Sequence, residues 1–306
     1  MRRRDLLDLL LLAAVWGGSF LFMRLAVGEF GPVALIELRV GLAALFLLPA
    51  ALWRGKLPII ARHWKAILVV GIFNAALPFL LYAYAAQSLG AGFLSVANAV
   101  TPVWGAVVGW LWLKDRLPWS RSLGLAIGLL GIVVLVWDKL DFQAGGTGPA
   151  VVAAVSAPIF YGIAANWTKR FLTGVDALSN ATGSMLAASL VLLPLALATW
   201  PQAPVSAGAW GATILLAVVC TGAAYIIFFR LIANVGPTGA VSVTFLVPVF
   251  GVVWGAWFLD EAITASILIG AGIILVGTAL ALGLVGGKRR ARPADRPNRP
   301  RSIRQP

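Results

Sequence analysis

Residues 90–117, GAGFLSVANAVTPVWGAVVGWLWLKDRL, stay apolar for nearly the length of a membrane helix, carry a proline midway and end in charge. The same design returns 146 residues later. Gly90 then falls on Gly236, Pro102 on Pro248, Gly105 on Gly251, Gly109 on Gly255, Leu113 on Leu259 and Asp115 on Glu261. The register continues through Gly124 with Gly270 and Gly131 with Gly277, and runs back to Trp64 with Trp210. A shift of 145 pairs Pro49 with Pro194 and Arg24 with Lys169. A near-constant offset over most of a chain means that one unit was copied once.

The medium follows from composition. The chain is 60% hydrophobic and 11% charged, against about 25% charged in a soluble domain. Ten apolar runs reach the ~20 residues that a bilayer core requires: 5–27, 31–53, 64–87, 90–113, 118–137, 148–168, 175–200, 208–232, 236–258 and 263–285. The first begins MRRR and resembles a secretory leader, but it continues past Phe20 without an A-x-A site and is read as a retained span. The fold expected is an all-α integral membrane protein, ten transmembrane helices in two five-helix repeats. Residues 1–140 form the first repeat, 141–286 the second, and 287–306 a basic, disordered cytoplasmic tail.

Charge supplies orientation. The net charge is +13, yet the cations are distributed as a topology signal rather than as a nucleic-acid footprint. Arg2 to Arg4, the 2–3 loop (Arg54, Lys56, Arg62, Lys65), the 4–5 loop (Lys114, Arg116, Arg121), Lys169, Arg170, Arg230 and the eight cations after Gly287 all fall on one side. Among loops on the other side Lys139 is the lone cation, beside Glu29, Asp138, Asp141, Asp260 and Glu261. Five spans is an odd number, so the second copy must cross upside down. The charge change from KDRLPWS to DEAITAS fits that inversion. Positive-inside bias places both termini in the cytoplasm.

Inside the spans, polar groups must avoid lipid. Ser95, Asn98, Pro102, Gly105 and Gly109 recur on one helical face, as do Asn74, Pro78 and Tyr82. Helices 5 and 10 are almost without polar residues, so helices 1–4 and 6–9 are expected to surround a path. Candidate substrate contacts are Trp16, Arg39, Asn74, Tyr82, Asn98, Trp104, Tyr161, Asn166, Tyr225 and Thr244, with Pro102 and Pro248 as hinges or kinks. Glu37 and Arg39 lie two apart and cannot pair with each other. An Arg24–Glu37 contact across the first hairpin is the expectation for that carboxylate. Arg39 is then left to bond carbonyls and hydroxyls, or to attract a substrate carboxylate. Trp53, Trp64, Trp119 and Trp200 end spans as interfacial anchors. His63 is read as a solvated loop residue and the lone Cys220 as a packing residue.

The ten helices in two halves, the prolines of helices 4 and 9, Trp16-Gly17, Arg39 and the run PVWGAVVGWLWLKDRLPWSRSLGLAIGLLGIVVL resemble the EamA branch of the drug/metabolite transporter superfamily over residues 5–285. That resemblance implies a bacterial inner-membrane exporter of amino acids or similar metabolites. It implies a small-molecule substrate, contact with membrane lipids, no cofactor, no metal and no nucleic acid; a homodimer is not established. The alternatives are transport of another metabolite class (sugar, nucleotide sugar or drug-like compound) and a channel-like or structural membrane protein. An enzyme is disfavoured, because there is one His, one Cys, no HExxH and no pair of carboxylates within the spans. A reporter fused after Pro306 is expected to be active only when it is a cytoplasmic type. Activity of a periplasmic-only reporter there would contradict an even number of spans with the termini inside.

Overall fold

The computed structural model describes residues 2–282 except 116, 117 and 144. The expected tail, 287–306, lies outside the described residues. All regular structure among the described residues is helical. Eight helical runs are long and apolar enough to cross a membrane, and Ala265–Ala281 is a shorter apolar helix.

The longest run, Arg3–Trp53, has 51 residues, which at 1.5 Å each is about 77 Å, more than twice a bilayer's ~30 Å apolar core. It is broken where the sequence allows a break. Gly31 takes φ 71°, ψ 162°, a conformation open to glycine without a side-chain clash, and Pro32 then starts the next arm. Its arms are α1 (3–30) and α2 (32–53). The remaining helices are α3 (Trp64–Ala85), α4 (Ala91–Leu113), α5 (Trp119–Val136), α6 (Gly148–Phe171) and α7 (Ala177–Ala198). A second glycine break, Gly236 at φ 79°, separates α8 (207–235) from α9 (237–259). Ala265–Ala281 is α10. The short helix Leu57–Arg62 joins α2 to α3.

The sequence repeat is visible as repeated irregularity. α3 loosens into π-helix at Ile72–Ala76, and α8 does so at Leu215–Ala223, which contains the positions 146 residues on. α4 is interrupted at Ala99–Val100 and restarts at Thr101-Pro102; α9 passes through a 3₁₀ turn, Ser242–Phe245, and restarts at Val247-Pro248. Proline near the start of a helical segment forfeits only an N–H that would be unsatisfied there. These are the kinks expected at Pro102 and Pro248.

The packing of α5 on α10 shows how the halves are related. A Cβ added to Gly124 would collide with Ala281 and Gly277, one on Gly277 with Gly128, one on Gly131 with Ile274, and one on Gly270 with Leu135. As the position on α5 rises, its partner on α10 falls, so the helices run antiparallel. Exchanging each residue for its counterpart 146 away reproduces the same contacts, as a two-fold axis requires. A second pair of crossings repeats the rule: Gly17 of α1 abuts Gly251 of α9, and Gly162 of α6 abuts Gly105 of α4. In lipid such close backbone approach is what small residues make available.

The exposed helix ends carry the anticipated tryptophans, Trp53 at 86% and Trp119 at 82% exposure. Lys56 pairs with Asp176 at 3.2 Å between the 2–3 connection and the start of α7. At the opposite end Glu29 accepts from Ser206 N at 2.6 Å and Ser206 Oγ at 2.7 Å. Gly277→Leu should destabilise the protein by at least ~1–3 kcal/mol, the range for overpacking a tight core, because the obstructing atoms are backbone. Thermal unfolding followed in detergent checks this. An unchanged midpoint would mean that α5 and α10 can separate freely.

Candidate functional site

A cavity of about 390 Å³ lies between the halves, lined by residues of α1–α4 and α6–α9 and by none from α5 or α10. Its wall obeys the repeat. Asn74 and Cys220, Phe79 and Tyr225, Tyr82 and Phe228, Asn98 and Thr244, and Thr101 and Val247 stand 146 apart. Trp16 and Tyr161, Phe20 and Ala165, and Arg39 and Ser184 stand 145 apart. Both members of all eight pairs line the cavity, so the relation between the halves passes through it.

Several of its polar groups are held by neighbours. Tyr82 donates to Asn98 Oδ1 at 3.3 Å, and Thr101 to Asn98 O at 2.7 Å, across the interruption of α4. Asn74, in the π segment of α3, donates to Tyr225 at 3.3 Å. π segments widen a helix by one residue and re-aim side chains, and they occur often at functional sites. The rings pack against one another: Trp16 with Phe228 tilted at 5.2 Å, Phe20 with Tyr82 edge-on at 5.5 Å, and Tyr82 with Tyr161 stacked at 6.4 Å.

Arg39 carries the cavity's one formal charge. It is 6% exposed. Its guanidinium carbon sits 3.6 Å from the centroid of the Phe79 ring, and its Nε donates to Thr221 Oγ1 at 3.0 Å. The Thr221 hydroxyl in turn donates to Leu216 O at 2.9 Å, a carbonyl inside the π segment of α8. No carboxylate pairs with Arg39 among the described residues. A desolvated cation stacked on a ring and bonded through one edge still has its η N–H groups for an acidic ligand.

Eight of the ten expected contacts therefore line the cavity: Trp16, Arg39, Asn74, Tyr82, Asn98, Tyr161, Tyr225 and Thr244. Two do not. Trp104 lies against Gly162 at the α4–α6 crossing. Asn166 donates to Gly105 O and Gly162 O, both at 2.9 Å, and fastens that same crossing. Five residues past Tyr161, Asn166 is rotated about 140° from it around α6, which sends it to the neighbouring helix. The expected Arg24–Glu37 contact is also absent. Arg24 donates to Ala86 O at the end of α3, where a cation meets a helix C-terminus favourably. Glu37 accepts from Ser189 of α7. His63 bonds Ile59 O through Nδ1 at 3.0 Å. Residues not singled out as contacts include Phe79, Thr101, Asn180 and Ser184. Phe79 was obtainable by shifting Tyr225 back 146 residues.

Thr221→Val should cost ~1.5–3 kcal/mol of stability, since the Arg39 charge loses an acceptor. Asn166→Ala should also destabilise, yet leave ligand binding to the folded fraction unchanged. Thermal melts with and without ligand separate the two effects; equal loss of ligand stabilisation in both would place Asn166 in the site.

Comparison with known proteins agrees with this architecture. One solved structure covers 95% of this chain and 100% of its own at a TM-score of 0.66 and 18% identity, a likeness of fold. An uncharacterized transporter of Bacillus subtilis, YvbV, is 25% identical over 298 residues, covering 96% of this chain and 95% of that protein. A probable terminal-alkyne amino-acid exporter of Streptantibioticus cattleyicolor is 25% identical over 288 residues, covering 92% and 94%. The description "EamA-like transporter family" matches twice, over residues 6–137 and 148–283, the two copies that the glycine register delineates, and the chain is a multi-pass membrane protein belonging to that family.

Proposed function

We propose that this protein is a secondary transporter exporting amino acids across the inner membrane by alternating access, with ten spans in two inverted five-helix halves, 1–140 and 141–286, and both termini cytoplasmic. The observation that carries the reading is the cavity wall of paired, repeat-related residues around a single cation. Antiparallel α5 and α10 support the inversion, because helices that both cross a bilayer and are related by that axis present opposite ends to one side. A two-fold related pair of halves has two nearly equivalent arrangements, open to opposite sides.

The chemistry selects the substrate class. Arg39 suits one carboxylate, through charge-assisted hydrogen bonds. Asn74, Asn98, Thr244 and the tyrosine hydroxyls offer acceptors to an ammonium group, and Trp16, Tyr82, Tyr161 and Tyr225 offer ring faces to cations and apolar side chains. One cation is a poor match for a nucleotide sugar, whose diphosphate favours several basic groups. Pro102 and Pro248 act as the hinges, each sitting where its helix is already interrupted. The Streptantibioticus relative's amino-acid designation supports the same class.

The test is counterflow of labelled aromatic and aliphatic amino acids in proteoliposomes. Saturable exchange is expected. Arg39→Ala should weaken apparent affinity about tenfold to a hundredfold, the equivalent of ~1.5–3 kcal/mol for a hydrogen bond to charge. Tyr82→Ala and Asn98→Ala should lower transport, whereas Leu125→Ala and Ile273→Ala should leave substrate choice intact. Linear, unsaturable flux would favour a channel, and exchange of carboxylates lacking an amine would shift the substrate class.

A further inference from the structure

α4 and α9 end on the same scaffold. Lys114 and Asp260 are the two non-glycine residues with positive φ among the described residues, 58° and 53°. The next N–H groups, of Asp115 and Glu261, donate to Gly109 O and Gly255 O, both at 3.2 Å. Two carboxylates 146 residues apart therefore hang from identical caps, each folded back over its own helix's glycine. The starts of these helices differ: Gly90 enters α4 extended at φ −71°, ψ 157°, whereas Gly236 enters α9 at φ 79°, ψ 166°.

The two carboxylates are nevertheless used differently. Glu261 reaches the first turn of α4 and accepts from Ala91 N at 2.7 Å and Gly92 N at 3.0 Å. It fills the space beside Gly90, where an added Cβ would lie under 3.0 Å from the carboxylate. Asp115 instead pairs with Lys169 at 2.8 Å, and a Cβ on Gly236 would meet nothing within 4 Å. One socket is filled and its counterpart is open. The cavity leans the same way. Val70, Asn180 and Phe229 line it toward the end of the molecule that holds the basic loops, while their counterparts Leu216, Leu35 and Ala83 are fully buried.

We propose that Glu261 and Asp115 are alternating latches: Glu261 on the α4 N-terminus closes the acidic end in this conformation, and Asp115 on the α9 N-terminus closes the basic end in the opposite one. This rests on the alternating-access reading. A carboxylate on two helix-terminal N–H groups gains charge-assisted hydrogen bonds and the favourable end of the helix dipole. The Asp115–Lys169 pair is exposed, and such pairs hold weakly, so Asp115 is readily released. The latches are unequal. Position 237 is proline, so the donor equivalent to Ala91 N is missing, and Asp115 is one methylene shorter than Glu261. The acidic end is therefore the end closed at rest.

Amide hydrogen exchange of the full chain in lipid nanodiscs tests this. Ala91 and Gly92 should be protected in the native protein, and Thr238 and Gly239 should exchange. Glu261→Gln and Gly90→Ala should each speed exchange at 91–92 by about tenfold or more and slow it at 238–239. Lys169→Ala, an exposed change, should move both sites the same way by freeing Asp115, and adding Asp115→Asn should cancel the slowing at 238–239. Unchanged α5 amides serve as the control for folding. Loss of protection at 91–92 without a gain at 238–239 would make Glu261 a static helix cap and overturn the proposal. The readout needs no substrate. Reciprocal exchange without any flux would sink the transport reading alone, and flux without reciprocity would sink the latches alone.

Discussion

The backbones of Gly128 and Gly277 are so close that no side chain could stand between them. Lipid provides no hydrophobic force to press two apolar helices together, so their association depends on contact made atom by atom, and glycine makes the most of it available. With α5 and α10 joined antiparallel along Gly124, Gly128, Gly131, Gly270 and Gly277, the second five-helix unit has one orientation relative to the first. The relation of every other helix pair follows. This seam contributes nothing to the cavity wall, so the elements that fix the halves together are separate from those that enclose the space between them.

Within that space the duplication is retained in shape and abandoned in chemistry. Tyr82 answers Phe228, Asn74 answers Cys220, and Arg39 answers Ser184. A strictly symmetric cavity would suit a symmetric ligand; a molecule with a carboxylate at one end needs the cation once. A second arginine at position 184 would also leave two buried charges without a carboxylate near either, a cost that stacking and one hydrogen bond each do not repay. Thr221 joins the second half to the charge of the first, and its hydroxyl is itself anchored to Leu216 O within the π segment of α8. The helical irregularity and the polar site are thus one feature.

Most of the fold was legible because the informative residues are those whose backbone preferences are extreme. Gly31, Gly236, Pro102 and Pro248 mark breaks in the structure because glycine accepts a positive φ that few other residues tolerate and proline cannot continue a helix from the preceding turn. The 146-residue register could be read from them without any knowledge of packing. Side-chain periodicity did less well. It placed Tyr82, Asn98 and Tyr225 on the cavity wall, whereas Trp104, chosen for its depth in the span and not for its face, lies at the α4–α6 crossing. The π segments were not anticipated, since a widened turn has no distinctive composition. The Arg24–Glu37 pairing failed because proximity in a hairpin was weighed without the third and seventh helices, whose Ala86 carbonyl and Ser189 hydroxyl are the partners.

Topology and symmetry make opposing demands on the helix ends. The two-fold relation gives both halves the same cap, with Asp115 on one and Glu261 on the other, while the cations gather at one end of the molecule. At the acidic end no cation pairs with Glu261 among the described residues, and its oxygens go to backbone N–H groups. At the basic end Lys169 is within reach of Asp115 and takes an oxygen that the same geometry would offer to a helix terminus. A charge pattern that orients the chain thereby places a competitor beside one member of a duplicated pair and spares the other. On the alternating-access reading, two halves of one fold need not then be equally populated in their two arrangements, and the difference arises from the loops rather than from the cavity.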